Sequence, residues 1–364
     1  MELTKCKLGE LITQRREKND GSDLPICGVS KDGLIPPKQK DADTSIYNVF
    51  YRDDFIFNPA RMELNSIAIN DMYDRAICSS LYEVFYVHRT DLLLPHYLEL
   101  IIRQKWFTRY CKFLGQGSAR EYCRFGNISE IEIEFPPIEE QQKIVEYNTA
   151  IENRIALKQK INDNLEAQAN AIFSSSAPDF TDLQPIHNFG TVITGKTPPT
   201  SVAEYYGNDI PFIKTPDMHG NVYITSSECS LSKAGADSQK NKYIPENTVV
   251  VACIGANAGE VALTSYIAQT NQQINAIISK YPCFLYFSIK AHTVELRTLG
   301  EGSSTMININ KTSFENYEIP TPSDNTSQQL EHKLNIIFSA ILHNLQEIDR
   351  LNETKDLLVT QLSR

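Results

Sequence analysis

The apolar positions of this chain follow two different periods. From Ile144, a stripe recurs every seven residues at Ile144, Ile151, Lys158, Leu165 and Ile172, with one lysine in the series. The same spacing returns at Leu334, Ile341, Ile348, Lys355 and Leu362, again with one lysine. A sustained seven-residue repeat gathers one face of a helix and buries it against another helix. Each run lacks Gly and Pro over roughly 35 residues, which is ~50 Å of helix at 1.5 Å per residue. That exceeds the diameter of a domain of ~130 residues, so each helix is expected to project beyond its own globular unit. Two such helices in one chain are predicted to pack on each other, with the lysines setting register at some cost in stability. The simpler alternative is two surface helices, each lying on its own domain.

Outside the helices the period drops to two. "SIAIND" from Ser66, "EVFYVH" from Glu83, "IEIEF" from Ile131, "DIPFIK" from Asp209, "TVVVACIG" from Thr248, "INAIIS" from Ile274 and "NYEIP" from Asn316 read as short strands bounded by turn residues. "HYLELIIRQKWFTRYCKFL" from His96 has helical spacing, and "FLYFSIKAHTVELRTLG" from Phe284 has it more weakly. "SSSAPDFTD", rich in Ser, Pro and Asp, reads as a linker.

These elements repeat. "GQGSAREYCRFGNISEIEIEFPP" from Gly115 aligns with "GEGSSTMININKTSFENYEIPTP" from Gly300. Both open Gly-x-Gly-Ser and end in an alternating strand and two prolines. Gln141-Gln142 then matches Gln328-Gln329, and "LGELI" at Leu8 matches "FGTVI" at Phe189. Self-similarity at a long period is the mark of a duplicated architecture. The predicted order is a globular unit over residues 1–136, a helix and linker over 137–176, a second unit over 177–320 and a second helix over 321–364. The fold class is α+β: two similar mixed α/β units and a long antiparallel two-helix coiled-coil spacer, arranged as a pseudo-twofold internal repeat.

Composition narrows the function. The 364 residues carry a net charge of −10, which argues mildly against a stand-alone nucleic-acid binder. There is no basic tail, so any DNA contact must come from local clusters or from a partner that supplies charge. No run of 18 apolar residues and no apolar signal core is present, so a cytoplasmic protein with no membrane association is expected. The eight cysteines form no C-x-x-C pair and read as reduced, mostly packed thiols. No catalytic constellation stands out. "NPAR" at Asn58 departs from the N-P-P-[FYW] of adenine methyltransferases. Gly190 to Thr197 satisfies G-x-x-x-x-G-K-[ST] literally. However, two prolines follow at once where a P-loop must open a helix, and the preceding segment is not a hydrophobic strand.

The helix opening "PPIEEQQKI", the unit opening "FGTVITGKTPP", the phrase "IPFIKTPDM", the segment "IGANAGEVAL" with "TNQQINAI", and the closing "GEGSSTMININ" together resemble a DNA specificity subunit of type I restriction–modification systems. The likeness covers essentially the whole chain and is strongest over residues 135–320. In the first unit "TQRREKND" stands where the second has "TGKTPP", and "ICSSLYEVF" where the second has "TNQQINAI". The resemblance implies that the globular units are target-recognition domains, each reading one half of a bipartite, asymmetric target in double-stranded DNA. It implies that the helices act as an antiparallel spacer and dock two modification (methyltransferase) subunits, with restriction (translocase/endonuclease) subunits joining the complex. The chain itself would be non-catalytic and hold no cofactor. S-adenosylmethionine, ATP and Mg would belong to the partners.

Several polar clusters are candidates for DNA contact. In "TGKTPPTSVAEYY", Lys196, Thr197 and Thr200 suit phosphate or base-edge contact, although a rigid turn with an exposed lysine explains them equally. Ser118, Arg120 and Arg124 follow the first Gly-x-Gly, and Ser303, Ser304 and Asn308 follow the second. A plain β-turn before the last strand is the competing explanation. Arg15, Arg16 and Lys18 form the densest basic cluster and would serve as a phosphate clamp. Lys31, Arg61, Lys214 and the amides Asn271, Gln272 and Gln273 complete the set, since Asn and Gln can read adenine bidentately. The rival function class is a coiled-coil scaffold with two paralogous protein-binding domains and no DNA role. The target sequence, its gap and the presence of a restriction subunit are not encoded in any pattern legible in the chain.

Overall fold

The computed structural model describes residues 3–31, 33–37, 43–115, 122–301 and 307–361. The chain divides into two compact units, Met1–Asn153 with Asn352–Arg364, and Arg154–Leu351.

In the first unit, strand Thr4–Lys7 pairs antiparallel with Glu132–Phe135. Along the latter, Glu132 and Glu134 face outward while Ile133 and Phe135 are buried, the period-two burial of a half-covered strand. A four-stranded sheet runs in the order Ile12–Arg15, Glu83–Val87, Phe55–Phe57, Ile67–Ile69. A second sheet runs Gly33–Ile35, Ile26–Ser30, Arg75–Cys78, Asn48–Tyr51. Within it, Ile26–Ser30 and Arg75–Cys78 pair in parallel. The helical stretch from His96 forms two helices, Pro95–Ile102 and Lys105–Gly115. Tyr97, Leu98, Ile101 and Phe107 bury onto a core with Phe55, Phe57 and Phe85.

The second unit repeats this plan. Asp182–Pro185 pairs antiparallel with Glu318–Thr321. A five-stranded sheet runs Gly190–Thr194, Ile274–Ser279, Val249–Ala252, Val261–Thr264, Tyr223–Ile224, and a three-stranded sheet runs Cys229–Leu231, Tyr206–Ile213, Gln269–Thr270. Here two pairs are parallel, Tyr206–Ile213 with Gln269–Thr270, which matches the first unit's, and Tyr223–Ile224 with Val261–Thr264. Helices Pro282–Ala291 and Thr293–Gly300 occupy the place of the first unit's helix pair. Apart from the short helix Lys233–Asp237, which has no counterpart among the first unit's described residues, the order of strands and helices matches between units, as the aligned segments predict.

Both long helices form, as Ile138–Ser176 and Asp324–Gln361. The first runs through the serines read as a linker, and only a 3-10 turn, Ala177–Asp179, follows. Where they touch, the helices are antiparallel. Glu152 meets Lys355, Arg154 and Lys158 meet Glu347, and Lys158 and Asn162 meet Asn344. These contacts are polar, and the apolar stripe mostly serves the globular cores. Ile144 packs on the first unit's core, while Leu165 and Ile172 pack on the second unit's core, which also takes in Leu334 and Ile341. Tyr147, three residues after Ile144, is exposed. The seven-residue period is real: Ile144, Leu165, Ile172, Leu334 and Ile341 join the domain cores, while Ile348 is buried outside them. Leu362 lies outside the described residues.

Each long helix is fastened to its unit by a side chain in its first turns. The Gln141 amide is fully buried, accepts from the Leu94 N–H at 2.9 Å and donates to the Leu92 and Pro136 carbonyls, both at 2.8 Å. In the second unit, Glu331 accepts from the Cys283 and Phe284 N–H groups at 3.1 and 2.9 Å. Both satisfy backbone donors at or just before the start of the unit's own helix, where no intrahelical partner exists. Burial pushes the Glu331 carboxyl above its usual range. Gln141→Ala removes the partner of three backbone groups, one buried and two partly buried, and is expected to cost about 1–3 kcal/mol. Chemical denaturation of the chain should show this as a lowered midpoint for the first unit.

Candidate nucleic-acid interface

In the second unit, two separated candidate segments lie side by side. Strand Gly190–Thr194 pairs with Ile274–Ser279, and the chain beyond it stays in contact. The Gly195 N–H donates to the Ile274 carbonyl (3.0 Å) and the Lys196 N–H to the Thr270 carbonyl (2.9 Å). The Thr197 hydroxyl reaches Gln272 Oε1 at 2.6 Å. Gln239 holds the Lys196 carbonyl, and Lys242 holds the Thr194 carbonyl. From the other side, the Asn271 N–H donates to the Ile213 carbonyl, and the Thr215 hydroxyl lies 3.4 Å from Gln273 Oε1. The loops that follow Gly190–Thr194, Tyr206–Ile213 and Gln269–Thr270 therefore converge, bringing together Lys196, Thr197, Asn271, Gln272 and Gln273. Lys196 and Gln272 are exposed and Asn271 is buried. Thr200 is exposed on the same loop as Lys196.

This geometry also disposes of the literal P-loop match. The Gly195 and Lys196 N–H groups, which would have to cradle phosphates, are spent on main-chain carbonyls. No helix opens after Thr197.

Lys214 is half-buried and donates to the Cys229 sulfur at 2.8 Å, a bond that raises its pKa. Asn308 is exposed, and its neighbour Ile309 donates to the Cys253 carbonyl while the Cys253 N–H donates to Gln273. Asn308 thus follows its neighbour Ile309 to within two hydrogen-bonded steps of the converging loops. Ser303 and Ser304 lie outside the described residues, as do Ser118 and Arg120 in the first unit.

The first unit places its basic residues differently. The Arg15 guanidinium makes two hydrogen bonds to Asp54, at 2.6 and 3.0 Å, and lies between the rings of Tyr51 and Tyr86, 4.7 and 4.6 Å from their centroids. Asp54 is buried and also accepts from the Tyr51 N–H. Burial pushes its carboxyl up against the opposing pull of Arg15. Arg15 is therefore built into the fold. Arg16, exposed, donates to Gln14, which donates to Glu83, and Glu83 pairs with Arg124 at 3.4 Å. Lys18 is exposed and spans the Ile46 carbonyl and Asn48. Lys31 and Arg61 line one cavity of about 620 Å³, together with Pro36, Tyr47, Leu64 and the Ser79–Tyr82 turn. The aromatic sandwich around Arg15 and the Ser79–Tyr82 turn were not among the candidates. The turn could have been found by aligning "ICSSLYEVF" with "TNQQINAI" and asking what each presents.

The described residues contain no group of three metal-ligating side chains, and no helix long and apolar enough to cross a membrane. All eight cysteines are free, and six are buried.

The comparisons with known proteins agree with this architecture. The family model described as type I restriction modification DNA specificity domain matches twice, over residues 6–167 and 183–353. The chain is 30% identical over 355 residues to the type I restriction enzyme HindI specificity subunit of Haemophilus influenzae, covering 75% of this chain and 77% of that protein. It is 27% identical over 183 residues to the MjaIX specificity subunit of Methanocaldococcus jannaschii, covering 48% of this chain and 42% of that one. The fold is similar to the crystal structure of a type I restriction–modification S subunit from M. genitalium, with a TM-score of 0.62 at 12% identity over all of this chain and 96% of that one. Two family matches, each spanning one unit and most of a long helix, show that the chain belongs to the type I restriction–modification DNA specificity subunits.

Proposed function

We propose that this chain reads a bipartite, asymmetric target in double-stranded DNA, one half with each unit, and docks the subunits that act on it. The observation that carries this reading is the duplication: closely similar orders of strands twice, each with a corresponding parallel strand pair, beyond which the second unit's loops converge. Two different reading heads in one chain suit two different short sequences separated by a gap. The long helices would set that gap, as dimer geometry sets half-site spacing in symmetric DNA binders. In this reading two modification subunits supply S-adenosylmethionine and the adenine methyltransferase site, and restriction subunits supply ATP- and Mg-dependent translocation and cleavage in the cytoplasm. Docking would explain how a chain of net charge −10 sits on DNA, because the complex encloses the duplex. The test is a gel shift with the chain alone and with a co-expressed modification subunit. Tight, salt-sensitive, specific binding is expected only for the complex. Specific binding by the isolated chain would contradict the docking part, and none by either would favour a protein-binding scaffold.

If the helices are the ruler, adding seven residues to both lengthens each by ~10.5 Å, about three base-pair steps. Insertion after Asn162 and at the facing Asn344 is expected to widen the gap by about three base pairs and leave both half-sequences unchanged. Mapping of methylated motifs reads this directly, and an unchanged gap would contradict the ruler.

A further inference from the structure

Each unit carries a tight turn where its parallel-paired strand gives way to the central strand of the other sheet. In the second unit it is the turn from Asn271 to Ile274. The Ile274 N–H donates to the Asn271 carbonyl (3.2 Å), and the Gln273 N–H donates to Asn271 Oδ1 (3.1 Å). In the first unit it is the turn from Ser79 to Tyr82. The Tyr82 N–H donates to the Ser79 carbonyl (3.0 Å), and the Leu81 N–H donates to Ser79 Oγ (3.3 Å). The backbone device is the same, a turn braced by the side chain of its first residue. The cargo is opposite in chemistry, because Leu81 stands where the second unit has Gln273, and Ser80 where it has Gln272.

Leu81 is 79% exposed and Leu64 is 61% exposed, and both border the cavity of about 620 Å³. Two exposed leucines on the lining of one cavity, whose walls include Pro36, mark a binding surface more than a packing accident. The rim is cationic. Lys31 and Arg61 also line the cavity, and among the described residues neither side chain has an ion-pair partner. A ligand that offers an apolar group beside anionic oxygens is thereby favoured over a purely apolar protein segment. In a duplex, the thymine 5-methyl group projects into the major groove, flanked by backbone phosphates.

We propose that Leu81, with Leu64, reads the 5-methyl group of a thymine in the half-site taken by the first unit, with Lys31 and Arg61 on the neighbouring phosphates. The equivalent turn of the second unit reads its half through the Gln272 and Gln273 amides instead. This inference rests on the DNA-reading function proposed above.

The experiment uses the chain in complex with its modification subunit and the target found by methylation mapping. Each thymine of both halves is replaced singly by deoxyuridine, which lacks only the methyl group, and Kd is measured for wild type and Leu81→Ala. In wild type, at least one thymine in one half is expected to be sensitive, with uracil weakening binding about fourfold, the value of one buried methyl-sized group. Leu81→Ala should bind thymine and uracil alike at that position and leave the other half's thymines unaffected. Because Leu81 is exposed, the variant should keep the wild-type melting temperature. No uracil-sensitive thymine, or a sensitivity unchanged in Leu81→Ala, would overturn the inference while specific binding still supports the DNA-reading function. Failure to distinguish the target from a scrambled duplex would overturn both.

Discussion

Replacing Gly195 with alanine is expected to remove the second unit's half of target recognition. A Cβ there would sit 2.1 Å from the Asn271 carbonyl oxygen, 2.4 Å from that of Thr270 and 2.2 Å from the Thr270 hydroxyl. Two of these three atoms are backbone, so no rotamer change can relieve the overlap. The loop must move off the Gln269–Ile274 segment, which breaks the Gly195 and Lys196 main-chain hydrogen bonds and separates Thr197 from Gln272. With each such bond worth about 1 kcal/mol, the loss is expected to be on the order of 2–3 kcal/mol, or about a hundredfold in affinity. Binding of the complex to its own target measures this. The first unit's core, which contains none of these residues, should unfold as in wild type. Unchanged affinity would mean that the converging loops do not read DNA.

Arg15→Ala is expected to act on stability first. Asp54, whose side chain is 2% exposed, would be left with the Tyr51 N–H as its remaining hydrogen-bond donor. The rings of Tyr51 and Tyr86 would lose the guanidinium between them. Removing one partner of a largely buried pair typically costs about 3–5 kcal/mol because the other charge stays buried. Pairing Arg15→Ala with Asp54→Asn should recover most of the loss, since the uncompensated charge is gone. Guanidinium unfolding of the two variants measures this. A single variant of wild-type stability that binds DNA poorly would instead make Arg15 a phosphate clamp.

Much of the architecture was legible in the chain because it was written twice. The Gly-x-Gly segments, the Pro-flanked strands and the glutamines after them share spacing, so a duplicated unit followed from alignment alone. The long helices were legible from the seven-residue stripe and the missing Gly and Pro. What the stripe buries was less so. Ile144 and Leu165 fit the same heptad as Lys158, yet the first two pack on globular cores and the lysine meets Asn344 and Glu347. Periodicity reports that a face is covered, and not by what.

The candidate interface shows the same limit. Lys196 and Gln272 are 76 positions apart, and only the pairing of Gly190–Thr194 with Ile274–Ser279 and of Tyr206–Ile213 with Gln269–Thr270 brings their loops together. Arg15 and Arg16 look equivalent in "TQRREKND", but a strand sends alternate residues to opposite faces. Arg15, at the end of Ile12–Arg15, turns onto Asp54, while Arg16 stays exposed. Leu81 gave no cue, because a single leucine in a polar stretch reads as ordinary core until its turn is seen to match that of Gln273.

The most direct measurement of the central claim is motif mapping by methylation. The chain is co-expressed with its modification subunit in a cell lacking other adenine methylation, and the modified sites are sequenced genome-wide. Two short, unlike sequences separated by a fixed unspecific gap are predicted, with one half lost in Gly195→Ala. A single continuous or palindromic motif, or no modified motif at all, would contradict the account.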